Sequence, residues 1–247
     1  DLDLKKLKNK KIEYLYDQFI LKNDIIMFVA RPGVGKSLMA LALCNMLLDA
    51  GKIERIFYLD GDNSHITIKS RNIELLKNKF GNKLNYFIEL SNSDMYRIIK
   101  ELKKKDLTDF LIVFDSIKNF IIGDRNSHKD VTELMNILKE LRNNGASIVF
   151  LHHQNKLSKD FNSAFAGSSA FMEDISLAYK LKKNENKQTY IFIPLKDRNN
   201  ISNSVAFVYN QDNTLTQVDL DYALETKEEL EIRELIINFI INEEDKP

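Results

Sequence analysis

Tryptophan is missing altogether, cysteine occurs once, proline three times and glycine eight times in 247 residues. A single thiol, Cys44, forms no intrachain disulfide, and its place in an apolar run makes it a small buried hydrophobe, so the expected compartment is reducing and cytoplasmic. Scarce proline and glycine exclude a collagen-like or low-complexity chain, and 44% hydrophobic with 29% charged residues exclude a disordered one. No apolar run approaches the roughly 20 residues that span a bilayer, and the charged stretch from Asp1 to Lys11 is unlike a signal peptide, so no membrane partner is expected. Neither sign of charge is in excess: Lys plus Arg and Asp plus Glu are 36 each. A polyanionic partner must therefore be met by a local basic patch. The first residue is Asp rather than Met, as expected of an excised fragment with native sequence beyond either end.

What is present is a repeated alternation. Residues 25–30, 55–60, 85–90, 110–115 and 147–152 are brief apolar runs bounded by polar or turn residues, which is the pattern of buried strands. Between them, 36–50, 64–80, 94–105 and 129–143 carry apolar residues at helical spacing. Strands alternating with helices imply a mostly parallel sheet with right-handed crossovers. From residue 175 the runs 175–182, 188–194, 204–209 and 215–218 are separated by short polar turns, which predicts an antiparallel extension.

The strongest chemical signal is Ala30-Arg31-Pro32-Gly33-Val34-Gly35-Lys36-Ser37, set after a strand and before a helix. Gly33 and Gly35 let backbone N–H groups turn inward on a phosphate. Lys36 adds a point charge, and Ser37 offers a hydroxyl to Mg²⁺ at a helix N-terminus, where the dipole favours anions. The expected nucleotide-binding set is Pro32, Gly33, Val34, Gly35, Lys36, Ser37 and Leu38, with ATP and Mg²⁺ as cofactors. Ala30 stands where the strict pattern has Gly. The run Phe110-Leu111-Ile112-Val113-Phe114-Asp115 ends in the carboxylate that such a site needs, so Ser37 and Asp115 are the expected Mg²⁺ residues. Ser116 follows instead of Glu. The acid that orients the attacking water must then come from another strand, which argues against the AAA+ type and for the RecA-like type.

With these motifs in view the chain resembles the hexameric RecA-like replicative DNA helicases, most closely the RepA type of plasmids and phages, over roughly residues 12–210. The implied fold is a RecA-like P-loop α/β core with a mostly parallel sheet flanked by helices and an antiparallel C-terminal extension. In that family the strand after the P-loop helix ends in a catalytic Glu followed nine residues later by Arg. Here Arg71 stands nine residues after Asp62, so the resemblance places the catalytic acid at Asp62, one methylene shorter than Glu, with Asp60 as the alternative. The run 147–156, containing His152, His153 and Lys156, looks like the family's sensor strand, and His153 falls near a Gln that senses the γ-phosphate. Metal binding by the paired histidines is not expected, because His65 and His128 are remote in sequence and no cysteine cluster accompanies them. Ala166 to Asp174 is similar to the small-residue helix start after the sensor loop, with Ala166 where the family often has Arg. Lys196-Asp197-Arg198 matches the Lys-x-Arg that the family inserts into the neighbouring subunit's ATP site, with Arg198 as arginine finger and Lys196 beside it.

The resemblance implies single-stranded DNA as partner, a homo-oligomer of six subunits with ATP sites at the interfaces, and a primase or initiator protein. Two loops that follow ATP-sensing strands hold basic and aromatic residues, the mixture that suits single strands. Their candidate DNA contacts are Lys118, Arg125 and Lys129, then Lys156 and Lys159. Expected organisation is an amphipathic segment at 1–21, packing on a neighbouring subunit or covering the chain's own core, an ATPase domain at 22–220 and an acidic amphipathic helix at 221–247 that opens a truncated winged helix. The rival readings are a slow ATP-dependent assembly or loading switch and a recombinase-like filament.

Overall fold

The computed structural model describes residues 11–124, 127–154, 169–226, 228–233 and 235–236. Strands β1 (Tyr14–Tyr16) and β2 (Ile20–Leu21) form a small antiparallel hairpin. The main sheet is built from β3 (Ile25–Ala30), β4 (Arg55–Asp60), β5 (Leu84–Ile88), β6 (Phe110–Asp115), β7 (Ser147–His153), β8 (Leu177–Asn184), β9 (Thr189–Asp197), β10 (Val205–Tyr209) and β11 (Leu215–Val218). Its order is β11-β10-β9-β8-β3-β7-β6-β4-β5. Strands β8, β3, β7, β6, β4 and β5 run parallel, whereas β9, β10 and β11 alternate in direction.

The central strands are buried on both faces, which is why they read as unbroken apolar runs in sequence rather than as alternations. One face carries α1 (Lys36–Asp49), α3 (Ile73–Phe80) and the β1-β2 hairpin; the other carries α4 (Asn92–Leu102), α5 (His128–Asn143) and α6 (Ser169–Asp174). Leu15, Phe19, Ile20 and Leu21 of the hairpin are buried in the chain's own core. Phe19 stacks on Phe28 of β3 and meets Tyr179, Phe192 and Phe207. An aromatic ring so enclosed contributes about 2–3 kcal/mol by removal from water. Leu15 and residues 19–21 thus cover the chain's own core, while residues 1–10 of the segment expected over 1–21 lie outside the described residues.

The single helix expected over 64–80 is two. The short α2 (His65–Ser70) is capped by the Ser64 hydroxyl, and Asn72 at φ 53° turns the chain before α3. Asn tolerates this left-handed conformation better than most residues. Beyond β11, α7 (Leu220–Leu224) is capped by Asp219. The described residues that follow, 228–233 and 235–236, are helical and leave Ile232, Leu235 and Ile236 more than half exposed. The winged-helix opening expected over 221–247 falls in part on 237–247, which lie outside the described residues.

Candidate ATP site at the carboxyl ends of the parallel strands

The loop from Arg31 to Gly35 joins the end of β3 to the start of α1, at the edge of the sheet where open α/β folds place their ligands. Gly33 and Gly35 have φ of +82° and +102°. A Cβ at Gly35 would also lie 2.9 Å from a Tyr190 ring carbon, so both conformation and space require glycine there. Lys36 opens α1 and is only 5% exposed. Its Nζ donates to the carbonyls of Ala30 at 3.1 Å and Arg31 at 3.4 Å, both in the strand and loop that precede it. Among the described residues no carboxylate pairs with this buried ammonium, and burial pulls its pKa down to about 8, partly offset by Asp115 and Asp62. A buried cation short of an anion, wrapped by a glycine-bearing loop, fits a phosphate.

Ser37, the next residue of α1, donates to Asp115 Oδ1 at 3.0 Å. Asp115 ends β6, is 2% exposed, and is held at Oδ2 by the Tyr58 hydroxyl at 2.8 Å. Burial and the nearby Asp60 push its pKa up to about 6, against the hydrogen bonds from Ser37 and Tyr58. A crowded, dehydrated carboxylate beside a hydroxyl is a fitting place for a divalent cation, which relieves the unfavourable burial of negative charge; Ser37 and Asp115 are the residues that would hold Mg²⁺.

The two acids at the end of β4 differ in burial and in partners. Asp60 is 1% exposed and saturated: its carboxylate accepts from the backbone N–H of Asp62 and Asn63, from the Asn63 amide and from the Tyr86 hydroxyl. Asp62 lies at the rim. It accepts from Asn119 at 2.9 Å and from His153 Nε2 at 3.2 Å, and Lys118 stands 3.5 Å away. These partners, His153 foremost, hold its carboxyl well below the usual carboxylate range despite partial burial. His153 in turn places Nδ1 3.2 Å from Lys36 Nζ. An ammonium only donates, so His153 accepts at Nδ1 and carries its proton on Nε2, toward Asp62.

The two histidines of β7 point to opposite faces, as period-two alternation requires. His153 pairs in register with Ala30 at the P-loop, whereas His152 packs against Phe171 of α6 with ring centroids 5.5 Å apart. Burial drops the His152 pKa to about 4, and its Nδ1 has no partner among the described residues.

Lys196 and Arg198 lie at the other end of the sheet. Asp197 is opposite Leu177, which is beside Ile26, so the segment sits about 13 Å down the strands from Ala30 and the P-loop. Both side chains donate to carbonyls at the C-terminus of α6, Lys196 to Met172 and Arg198 to Glu173. Of the expected DNA contacts, Lys118 stands beside Asp62 within the candidate site, Lys129 is exposed on the first turn of α5, and Arg125, Lys156 and Lys159 lie outside the described residues. Sequence reasoning passed over Tyr58, Tyr86, Asn63 and Asn119. A tyrosine in an apolar strand reads as core, and nothing local marks its hydroxyl as a partner for an acid.

Comparison with solved structures finds the same fold in a separately solved ATPase domain, 12% identical, with a TM-score of 0.65 over 87% of this chain and 94% of that one. A DnaB-like replicative helicase, whose structure addresses its interactions with primase, is 14% identical with a TM-score of 0.64 over 87% of this chain and 66% of that one. The flagellar accessory protein FlaH from Methanocaldococcus jannaschii is 14% identical with a TM-score of 0.56 over 80% and 90%. The fold is thus the RecA-like α/β architecture of helicase ATPase domains, with a mostly parallel central sheet and antiparallel strands at its C-terminal side. No curated protein sequence matches the chain. A family profile described as AAA domain matches residues 2–159, a span that holds the P-loop, Asp62, Asp115 and His153, and the chain belongs to that AAA domain family.

Proposed function

We propose that the protein is an ATPase motor of the ring-forming replicative helicase kind, of the RepA type found in plasmids and phages, coupling Mg·ATP hydrolysis to translocation on single-stranded DNA and duplex unwinding. The observation that carries this reading is the convergence of Lys36, Ser37, Asp115, Asp62 and His153 around one glycine-bearing loop, with the Lys196-x-Arg198 pair at the far end of the same sheet. Lys36 and the loop N–H groups bind the β- and γ-phosphates. Mg²⁺ supplies charge neutralisation on the transferring phosphoryl group. Asp62 accepts a hydrogen bond from the attacking water and orients it. His153 links the phosphate-binding lysine to that acid, so occupancy at Lys36 is felt at Asp62.

Arg198 is too far from its own loop to touch a nucleotide there, which suits a finger that completes a neighbouring subunit's site. Each ring interface then holds one ATP, and six subunits, a DNA strand in the channel and a primase or initiator partner belong to the same reading. A finger supplied in trans is commonly worth about 10³ to 10⁵ in rate. The DnaB-like helicase studied with primase and the separately solved ATPase domain lend support through their common fold.

A second reading, an ATP-gated assembly switch with slow turnover, is favoured by one observation: Asp62 is shorter than the Glu of the helicase pattern. ATPase rate with and without single-stranded DNA, measured alongside oligomeric mass, separates the two. A hexamer whose turnover rises on DNA supports the motor; slow, DNA-indifferent turnover supports the switch.

A further inference from the structure

One buried arrangement beside the ATP site has no part in the chemistry above. Tyr58 on β4 and Tyr86 on β5 are paired in register, with their rings stacked 4.7 Å apart at 11°. The Tyr58 hydroxyl donates to Asp115 Oδ2 at 2.8 Å, and the Tyr86 hydroxyl donates to Asp60. Asn63 Nδ2 joins the two acids, 2.9 Å from Asp60 Oδ2 and 3.4 Å from Asp115 Oδ2. Packing alone does not call for these hydroxyls. Phenylalanine would fill the same volume in these strands without burying a polar group that needs a partner.

The consequence lies in how Asp115 is oriented. The terminal torsion of an Asp side chain is broad, so its carboxylate plane is fixed by whatever binds its two oxygens. Here Oδ2 is engaged by Tyr58 and Asn63, and Oδ1 is turned to Ser37 at 3.0 Å. With the Ser37 proton committed to Oδ1, the lone pairs of the Ser37 oxygen are left for a cation. We propose that Tyr58 is a positioning residue for the divalent-cation site: its buried hydroxyl locks the Asp115 carboxylate so that Oδ1 takes the Ser37 proton and the Ser37 oxygen is free to ligate the metal. This rests on the Mg·ATP reading of the site. Tyr58 is not a ligand in this reading: its hydroxyl lies 2.8 Å from Asp115 Oδ2 and, at longer range, 3.4 Å from the Ser37 carbonyl, and it acts through Asp115.

The test uses the full chain with Mn²⁺ in place of Mg²⁺ and ADP as nucleotide, with free Mn²⁺ read by electron paramagnetic resonance. Removing a partner that orients a metal-site group typically costs roughly 10- to 100-fold in metal affinity. Tyr58→Phe should therefore weaken Mn²⁺ binding in the ADP complex by about tenfold or more, while ADP binding in EDTA stays at the wild-type value. Tyr86→Phe, which frees only Asp60, should keep wild-type Mn²⁺ affinity. Incorporation of 4-aminophenylalanine at position 58 restores a donor and should restore metal affinity, whereas 4-methylphenylalanine fills the same space without a donor and should not. That pair carries the test if the Phe variant fails to fold. Wild-type protein that holds no Mn²⁺ with ADP removes the nucleotide reading and this inference together. Wild-type protein that binds Mn²⁺ normally, with Tyr58→Phe its equal, or with Tyr86→Phe equally impaired, overturns this inference alone.

Discussion

His153 Nε2 lies 3.2 Å from Asp62 Oδ2, on the acid's side of a histidine whose other ring nitrogen faces Lys36. The two residues are 91 positions apart in sequence, on β7 and on the turn after β4, strands separated in the sheet by β6. A donor to Asp62 and an acceptor for Lys36 are both needed in this place, and one neutral imidazole supplies both.

The requirement can be met by another side chain. Gln offers an amide N–H to Asp62 and a carbonyl to Lys36, so His153→Gln should keep turnover within a few-fold of wild type. His153→Ala should bind ATP with little change and lose about 10²-fold or more in turnover, the scale of a positioned proton-transfer or charge-stabilising group. Single-turnover hydrolysis together with nucleotide titration checks both variants.

Lys36 should be both indispensable and pH-sensitive. Lys36→Ala removes a charge-assisted contact of about 3 kcal/mol, roughly 100-fold in ATP affinity. In the intact protein its pKa of about 8 is set by burial, and a bound phosphate favours the charged form. Lysine is charged below that value and loses its proton above it. ATP affinity should therefore be flat just below pH 8 and fall by up to about tenfold per unit above it until the pKa of the complex is reached. Titration with a non-hydrolysable analogue from about pH 7.5 upward reads this; affinity that rises with pH would contradict it.

Asp60 and Asp62 should separate cleanly. Asp62→Asn should retain ATP binding and stop turnover. Asp60→Asn places an amide N–H₂ against donors that need acceptors, in a site 1% exposed, and should cost about 1–3 kcal/mol or more in stability, read as a lowered unfolding midpoint. If Asp60→Asn were folded and dead while Asp62→Asn turned over, the two roles would be exchanged.

Much of this was legible in the chain itself. The P-loop strand and helix, the run ending at Asp115 and the strand ending in paired histidines appear where the apolar runs place them, because doubly buried strands leave an unbroken signature. The break at Asn72 was not legible, since a single residue at positive φ leaves the helical spacing on either side intact. The hairpin at 14–21 was hidden by strands of three and two residues, too short to show alternation. The preference for Asp62 over Asp60 in sequence came from resemblance to Glu-bearing helicases. The geometry distinguishes the two acids: the Asp60 carboxylate is enclosed and fully engaged by donors, while Asp62 stands at the rim. The choice between His152 and His153 likewise turns on which face of β7 meets the loop, a matter of register that no local pattern encodes.

In the proposed motor, the ATP site on one chain is completed by Arg198 of another. Arg198→Ala protein should bind ATP at its own loop and fail to hydrolyse it, and Lys36→Ala protein should bind ATP roughly 100-fold more weakly and be inactive. Mixed under conditions where subunit exchange has been shown independently, the two inactive proteins should regain partial ATPase activity, since some interfaces then pair an intact loop with an intact arginine. An Arg198→Ala protein with normal turnover by itself, or an inactive one that no mixture with Lys36→Ala revives, would contradict the account.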